Sequence, residues 1–178
     1  DLQIARSVKI RDNAEQRVSY DSALKTAAVS THDNGIALVS LTDGSIQKVI
    51  AGKKKPILAL VHGGARFVAA RFADNSVSVF SLDTGAEVFS AGNRPFPHRL
   101  GFLASDCVFS DDETLLALGS SSGLDVIELA TGKTIAHVNS PQPGHLAFDH
   151  AGRRIVFGNI QERSLRVWHF RDNEEAKV

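Results

Sequence analysis

The fold is decided by the stretch Phe67-Val-Ala-Ala-Arg71, Asp74-Asn75, Ser76-Val-Ser-Val-Phe-Ser-Leu82, Asp83-Thr84-Gly85 and Ala86-Glu-Val-Phe-Ser90. It predicts a strand, a polar turn, an alternating strand, a glycine turn and a further strand, because β-branched and aromatic residues are bounded there by Asp, Asn and Gly. The same unit recurs four times, and its turn glycines Gly44, Gly85 and Gly132 are spaced by about forty residues, a period typical of repeat architectures.

A repeat of short strands at this period predicts a β-propeller, because a single blade cannot bury both faces and must stack on its neighbours. In each copy the second strand is a continuous small apolar run, such as Leu115–Gly119, which suits a central strand covered on both faces. No segment keeps a helical period. The predicted fold class is therefore all-β, with four-stranded antiparallel blades, about four of them in this chain.

The copies divide the chain into four predicted blades. These are residues 17–50, 51–90, 91–138 and 139–178, and the last is predicted to lack its outer strand. Residues 1–16 hold a strand-like segment that is predicted to be the outer strand of a preceding or final blade, followed by a linker. The absence of methionine favours a processed or partial chain. We prefer the interpretation that the chain is a half-propeller completed by a second copy or another chain. The alternatives are a fragment of a larger ring and a closed ring of four blades.

The pattern resembles the WD-repeat propellers over nearly the whole chain. In that family a turn aspartate precedes a strand that ends in Trp-Asp. The matching spacing is held by Asp33 with Val39, by Asp74 with Phe80, and by Glu162 with Trp168. Only Trp168 keeps the tryptophan, and no copy keeps the full dipeptide. The resemblance implies a protein-interaction scaffold without catalysis, whose partners are other protein subunits or a second copy that completes the ring.

Composition narrows the classes of function. The chain has 20 basic and 20 acidic residues and is 43% hydrophobic, which excludes a disordered or strongly basic protein. Its single cysteine, Cys107, lies in an apolar stretch, which indicates a buried thiol and a reducing, cytoplasmic or nuclear setting. No apolar run approaches the ~18 residues that span a bilayer, so no transmembrane segment is expected.

The sequence lacks the common motifs of enzyme active sites. It contains no phosphate loop and no nucleophile elbow, and its 7 histidines are scattered without metal-ligand spacing. We therefore expect no catalytic residue, no metal and no cofactor. The carboxylates of Asp111, Asp112 and Glu113 are expected to cap a turn and face water.

The predicted links between blades carry cationic side chains, and propeller geometry gathers such links on one face. This cationic rim and its aromatic anchor comprise Arg17, Lys53, Lys54, Lys55, Arg94, Phe96, His98 and Arg99. An acidic target such as a phosphopeptide, a phosphoinositide or nucleic acid would suit it, although exposed loops carry Lys and Arg in any protein. The scaffold function is preferred. The alternatives are a phosphate-reading module that uses this rim, and a propeller enzyme or ligand-binding domain.

Overall fold

The computed structural model describes residues 17–21, 23–92, 107–140, 143–159, 162–172 and 174–177, and everything described here lies within these ranges. This part of the chain is all-β, with four antiparallel sheets of four strands each. The predicted strand within residues 1–16 lies outside the described residues. Each sheet takes its four strands in chain order, as expected of propeller blades.

The strands have the following bounds. The first sheet contains β1 (Val18–Tyr20), β2 (Thr26–Ser30), β3 (Ile36–Ser40) and β4 (Ile46–Ile50). The second contains β5 (Ile57–His62), β6 (Phe67–Phe72), β7 (Val77–Ser81) and β8 (Glu87–Ala91). The third contains β9 (Cys107–Phe109), β10 (Leu115–Gly119), β11 (Leu124–Glu128) and β12 (Lys133–Val138). The fourth contains β13 (Pro143–Phe148), β14 (Ile155–Asn159), β15 (Ser164–His169) and β16 (Glu174–Lys177).

The connections separate onto two faces of the molecule. The link face holds the links between sheets and the turns between second and third strands; there the Ala73 N–H donates to the Pro56 carbonyl at 2.9 Å. The turn face holds the other hairpins of each sheet, and there the Leu82 N–H donates to the Arg66 carbonyl at 2.7 Å. This arrangement follows from antiparallel pairing, because the chain reverses direction at every strand.

Three apolar clusters hold neighbouring sheets together. Phe72 and Phe80 pack with Ile36 and Leu38 between the first and second sheets. Equivalent clusters join the second sheet to the third and the third to the fourth, where Trp168 is completely buried. Each sheet thus has a forward face, directed at the next sheet in chain order, and a backward face, directed at the preceding one.

The fourth sheet corrects one prediction. Residues 139–178 were expected to lack an outer strand, but β16 pairs with β15 from Arg166↔Lys177 to His169↔Glu174. The prediction is wrong because Glu174–Lys177 has none of the apolar alternation that marks a strand in a sequence. Backbone hydrogen bonding can nevertheless recruit a short charged segment, and charged edge strands protect a sheet from unwanted pairing.

Candidate interaction surfaces

The positions shared with WD repeats have structural roles in this chain. Asp74 lies in the turn between β6 and β7, where its Oδ1 accepts from the Ser76 N–H at 3.1 Å and from Ser76 Oγ at 2.5 Å. The hydrogen bond from the Lys55 ammonium, followed by those from Ser76, holds the pKa of Asp74 well below its usual range. Phe80, six residues further along, is buried against the first sheet.

The two other turn acids occupy equivalent turns. Asp33 Oδ1 accepts from the Thr31 hydroxyl at 2.5 Å between β2 and β3. Glu162 Oε1 accepts from the Arg166 guanidinium at 2.5 Å before β15. Trp168 packs edge-on against Phe170, with ring centroids 6.0 Å apart. These residues therefore stabilise turns and sheet contacts.

A carboxylate on the turn face ties the second sheet to the third. Glu113 is only 5% exposed, and its oxygens accept backbone N–H groups of the β5–β6 hairpin. The distances are 2.6 Å from Ala65, 2.9 Å from Arg66 and 2.9 Å from Phe67. The expectation that all three acids of this turn face water is thus wrong for Glu113, whereas Asp112 does cap the turn by accepting the Thr114 N–H at 3.0 Å.

A different polar contact ties the first sheet to the second. Thr26 Oγ1 lies 3.0 Å from His62 Nε2 and donates to Asp21 Oδ2 at 2.9 Å. Burial lowers the pKa of His62 and outweighs the opposing charges of Asp21 and Glu113. Burial alone would raise the pKa of Asp21, but hydrogen bonds from Lys25 and Thr26 reverse this and lower it.

The link face contains the described part of the predicted cationic rim. Arg17, His32 and Asn34 line a depression of about 220 Å³ there, and Pro56, next to the lysine run, closes one side of it. Lys53 donates to Glu87 Oε1 at 2.8 Å and to Ser90 Oγ at 2.9 Å. Lys55 is ion-paired with Asp74. Lys54 is exposed and makes no ion pair with a described residue.

The structure thus brings part of the rim together, but Lys53 and Lys55 form ion pairs with acidic residues of the same chain. The remaining predicted rim residues, Arg94, Phe96, His98 and Arg99, lie outside the described residues. Among the residues that are described, no group of three or more His, Cys, Asp or Glu side chains is arranged to hold a metal ion. No helix in the described part of the chain is long and apolar enough to cross a membrane.

The forward face of the fourth sheet is an exposed apolar surface. The register places Val156 opposite Val167 and Gly158 opposite Leu165 on this face, away from the third sheet. Leu165 is 54% exposed and Val156 is 37% exposed. In a closed ring of four blades this face would be covered by the first sheet, so the described arc is open at its fourth sheet.

The backward face of the first sheet is also apolar and carries exposed residues. Val18 and Tyr20 of β1 are 54% and 61% exposed on this face. Beside them Ala27, Val29, Ala37 and Val39 form a small buried cluster, which takes no described hydrophobic residue from the other sheets. The centre of this backward face is therefore buried, whereas the forward face of the fourth sheet is exposed at its centre. Sequence reasoning missed both faces, because their residues read as ordinary core strands.

Comparison with known proteins places this architecture among the β-propellers. No protein-family model and no curated protein matches the chain. The β-propeller domain of Cps50 (Swd1) from Myceliophteria thermophila, a WD-repeat protein, superposes with a TM-score of 0.64 at 17% identity, covering 93% of this chain and 54% of that one. The chain therefore spans about half the length of that propeller domain.

A designed propeller, the computationally designed Ika4 protein, superposes with a TM-score of 0.67 at 17% identity. The match covers 92% of this chain and 96% of the designed chain. Together with the four sheets, these similarities confirm the predicted β-propeller fold.

Proposed function

We propose that this chain is a protein-interaction scaffold without catalytic chemistry, which uses the exposed forward face of its fourth sheet to bind protein. The observation that carries the proposal is the exposure of Leu165 and Val156 on a sheet face whose equivalents elsewhere are buried. A broad apolar surface in water is unfavourable, and such patches commonly mark sites of protein association. An intracellular setting, consistent with the buried thiol of Cys107, belongs to the same proposal.

The proposal is tested with a photo-cross-linking amino acid at position 165 of the complete chain. The matched control carries it at Ile135, which is 45% exposed on the outer strand of the third sheet, away from both end faces. We expect protein adducts from position 165 and few from position 135, under physiological conditions. Equal yields at the two positions would show that the end face is no preferred interaction surface.

The link-face depression favours a second candidate, recognition of a phosphate-bearing ligand by the cationic rim. Arg17 and His32 line it and Lys54 is exposed nearby, so an anion there would meet positive charge. Lys53 and Lys55 would first have to leave Glu87 and Asp74. These pairs are exposed and cost little to break, but Glu87 and Asp74 offset the positive charge that the rim offers an anion, which makes phosphate recognition the weaker candidate.

A further inference from the structure

The first and fourth sheets share one construction in the hairpin between their first and second strands. In the first sheet the Asp21 N–H donates to the Thr26 carbonyl at 3.1 Å, and Asp21 Oδ2 accepts from the Thr26 hydroxyl at 2.9 Å. In the fourth sheet the Asp149 N–H donates to the Arg154 carbonyl at 3.0 Å, and Asp149 Oδ2 accepts from Arg154 Nε at 3.1 Å. Both carboxylates also accept two backbone N–H groups of their own hairpin, at 2.7 to 3.2 Å. Arg154 is therefore the structural equivalent of Thr26.

In the other three sheets the residue at the position of Arg154 contacts the following sheet. The register makes these residues equivalent, because each directly precedes the second-strand member of an opposed pair on the backward face. The contacts join Thr26 to His62 at 3.0 Å, Phe67 to Phe109 with ring centroids 6.4 Å apart, and Leu115 to Phe148 within one apolar cluster. Arg154 thus holds an interface position that no described sheet covers.

The chemistry of Arg154 determines what a partner must supply at this position. The Thr26 hydroxyl can both donate and accept, so it can bond an imidazole. A guanidinium only donates, and Asp149 takes the Nε of Arg154, so the terminal nitrogens can bind an acceptor from outside the sheet. The Arg154 side chain is 51% exposed. A carboxylate fits best, because its two oxygens match the paired N–H groups of a guanidinium.

A depression of about 770 Å³ gives a partner access to Arg154. It lies on the turn face of the fourth sheet, and its polar lining consists of Asp149, Arg153, Arg154, His169, Arg171 and Asp172. Arg153 and Arg171 are exposed there. Both oxygens of Asp149 already accept from its own hairpin. The depression therefore offers guanidinium donors to a ligand that carries negative charge.

The depression is continuous with the exposed apolar face of the same sheet. Val156 lies two residues after Arg154, and strand alternation places both positions on the forward face. Two residues of a strand span about 7 Å, so one partner surface can contact Val156 and also reach Arg154. Leu165, which is 54% exposed, extends the apolar part of this surface towards the link face.

We propose that the forward face of the fourth sheet binds a protein whose contacting surface carries aliphatic side chains beside an aspartate or glutamate, and that this carboxylate binds Arg154. This assignment rests on the proposed scaffold function, because it names the chemistry of the partner for the same face. A purely aliphatic surface would cover Val156 and Leu165 but would take the Arg154 donors out of water without an acceptor, which is unfavourable. The acidic group therefore selects among apolar partners.

A displayed library of random peptides, selected on the purified complete chain, tests this proposal. The selected peptides should combine aliphatic residues with Asp or Glu. Synthetic copies with Asn or Gln in place of the acidic residue should bind about fivefold more weakly, because an exposed charge-assisted contact is lost. Arg154→Ala should bind the acidic and amide peptides equally, whereas Leu165→Asp should weaken binding of both. Lys133→Ala, at an exposed position on β12, is the control and should bind like the wild type.

The outcomes separate the carboxylate contact from the scaffold function. Circular dichroism verifies that each variant folds, and Arg154→Met is the milder substitute because it keeps an unbranched stem. Peptides that depend on Leu165 but bind Arg154→Ala as tightly as the wild type would overturn the carboxylate contact and leave the scaffold function in place. A selection that returns no peptide dependent on Leu165 would also overturn it. In that case adducts from position 165 would retain the scaffold function, and their absence would mean that both are wrong.

Discussion

Removal of the Glu113 carboxylate should weaken the contact between the second and third sheets. Glu113→Ala deletes the acceptor of three backbone N–H groups, from Ala65, Arg66 and Phe67, at 2.6 to 2.9 Å. A hydrogen bond to a charged group contributes about 1.5–3 kcal/mol. Because the three donors share one carboxylate and the hairpin can regain water, we expect a loss of about 3 kcal/mol in the free energy of unfolding.

Urea unfolding followed by circular dichroism measures this loss. With a slope of about 2 kcal/mol per molar urea, the midpoint should fall by about 1.5 M. Asp83→Ala, at an exposed turn acid of the second sheet, is the control and should change stability by less than about 0.5 kcal/mol. All proteins are compared at one concentration, since association would add to apparent stability.

A double-mutant cycle makes the test specific to the contact. A Cβ atom at Gly64 would lie 2.8 Å from Glu113 Oε1, and Glu113 supplies every other atom within 4 Å of it. Gly64→Ala should therefore lower the free energy of unfolding of the wild type but hardly change that of the Glu113→Ala variant, with a coupling of about 1–2 kcal/mol. Additive effects, or a cost of Glu113→Ala below about 1 kcal/mol, would refute the proposed tie.

Three further predictions concern other parts of the arc. Burial lowers the pKa of His62, so its contribution to stability is present above its unfolded pKa of about 6.5 and is lost as pH falls through the lower folded pKa. Between pH 7.5 and 5.5, His62→Gln should therefore lose less free energy of unfolding than the wild type, as measured by urea unfolding. Equal losses in the two proteins would contradict this. Gly52→Ala would place a Cβ 1.4 Å from a carbonyl oxygen of the neighbouring turn and should cost more than about 3 kcal/mol. Gly92→Ala, with nothing within 4 Å of the new atom, should be nearly neutral, and urea unfolding measures both glycine variants. If the rim reads phosphate, exchange of Lys53–Lys55 for glutamate should abolish salt-dependent binding to phosphoinositide vesicles, and unchanged binding would exclude that role for the lysines.

The strands and their stacking are predictable because their signals are local. The small apolar run Leu115–Gly119 indicates a strand covered on both faces, and all five of its residues are buried. The alternation in Val77–Ser81 identifies a strand but not its coverage, because Ser78 is buried as fully as the apolar residues beside it. The turn at Asp74 and Asn75 is equally local, since Asp74 accepts from Ser76 two residues away. Such features need no knowledge of the neighbouring sheets.

The contacts between sheets required the structure. Glu113 stands beside two exposed aspartates, and nothing in the sequence marks it as the residue that reaches the β5–β6 hairpin. The pairing of Lys53 with Glu87 also joins residues that are distant in sequence. Leu165 shows most clearly what the sequence cannot predict. It begins an alternating strand as its buried equivalent Leu124 does, and only the arrangement of the sheets reveals that it is exposed.

Accessibility of position 165 tests the central claim, that the arc ends in an open blade interface which is available to bind protein. Leu165→Cys and Leu124→Cys are compared by thiol labelling, each with the buried Cys107 replaced by alanine. We expect Cys at 165 of the purified chain to react quickly, because Leu165 is 54% exposed, while Cys at 124 stays protected throughout. Protection of position 165 at dilutions where the mass is that of one chain would contradict the account, because it would mean that the four sheets close on themselves.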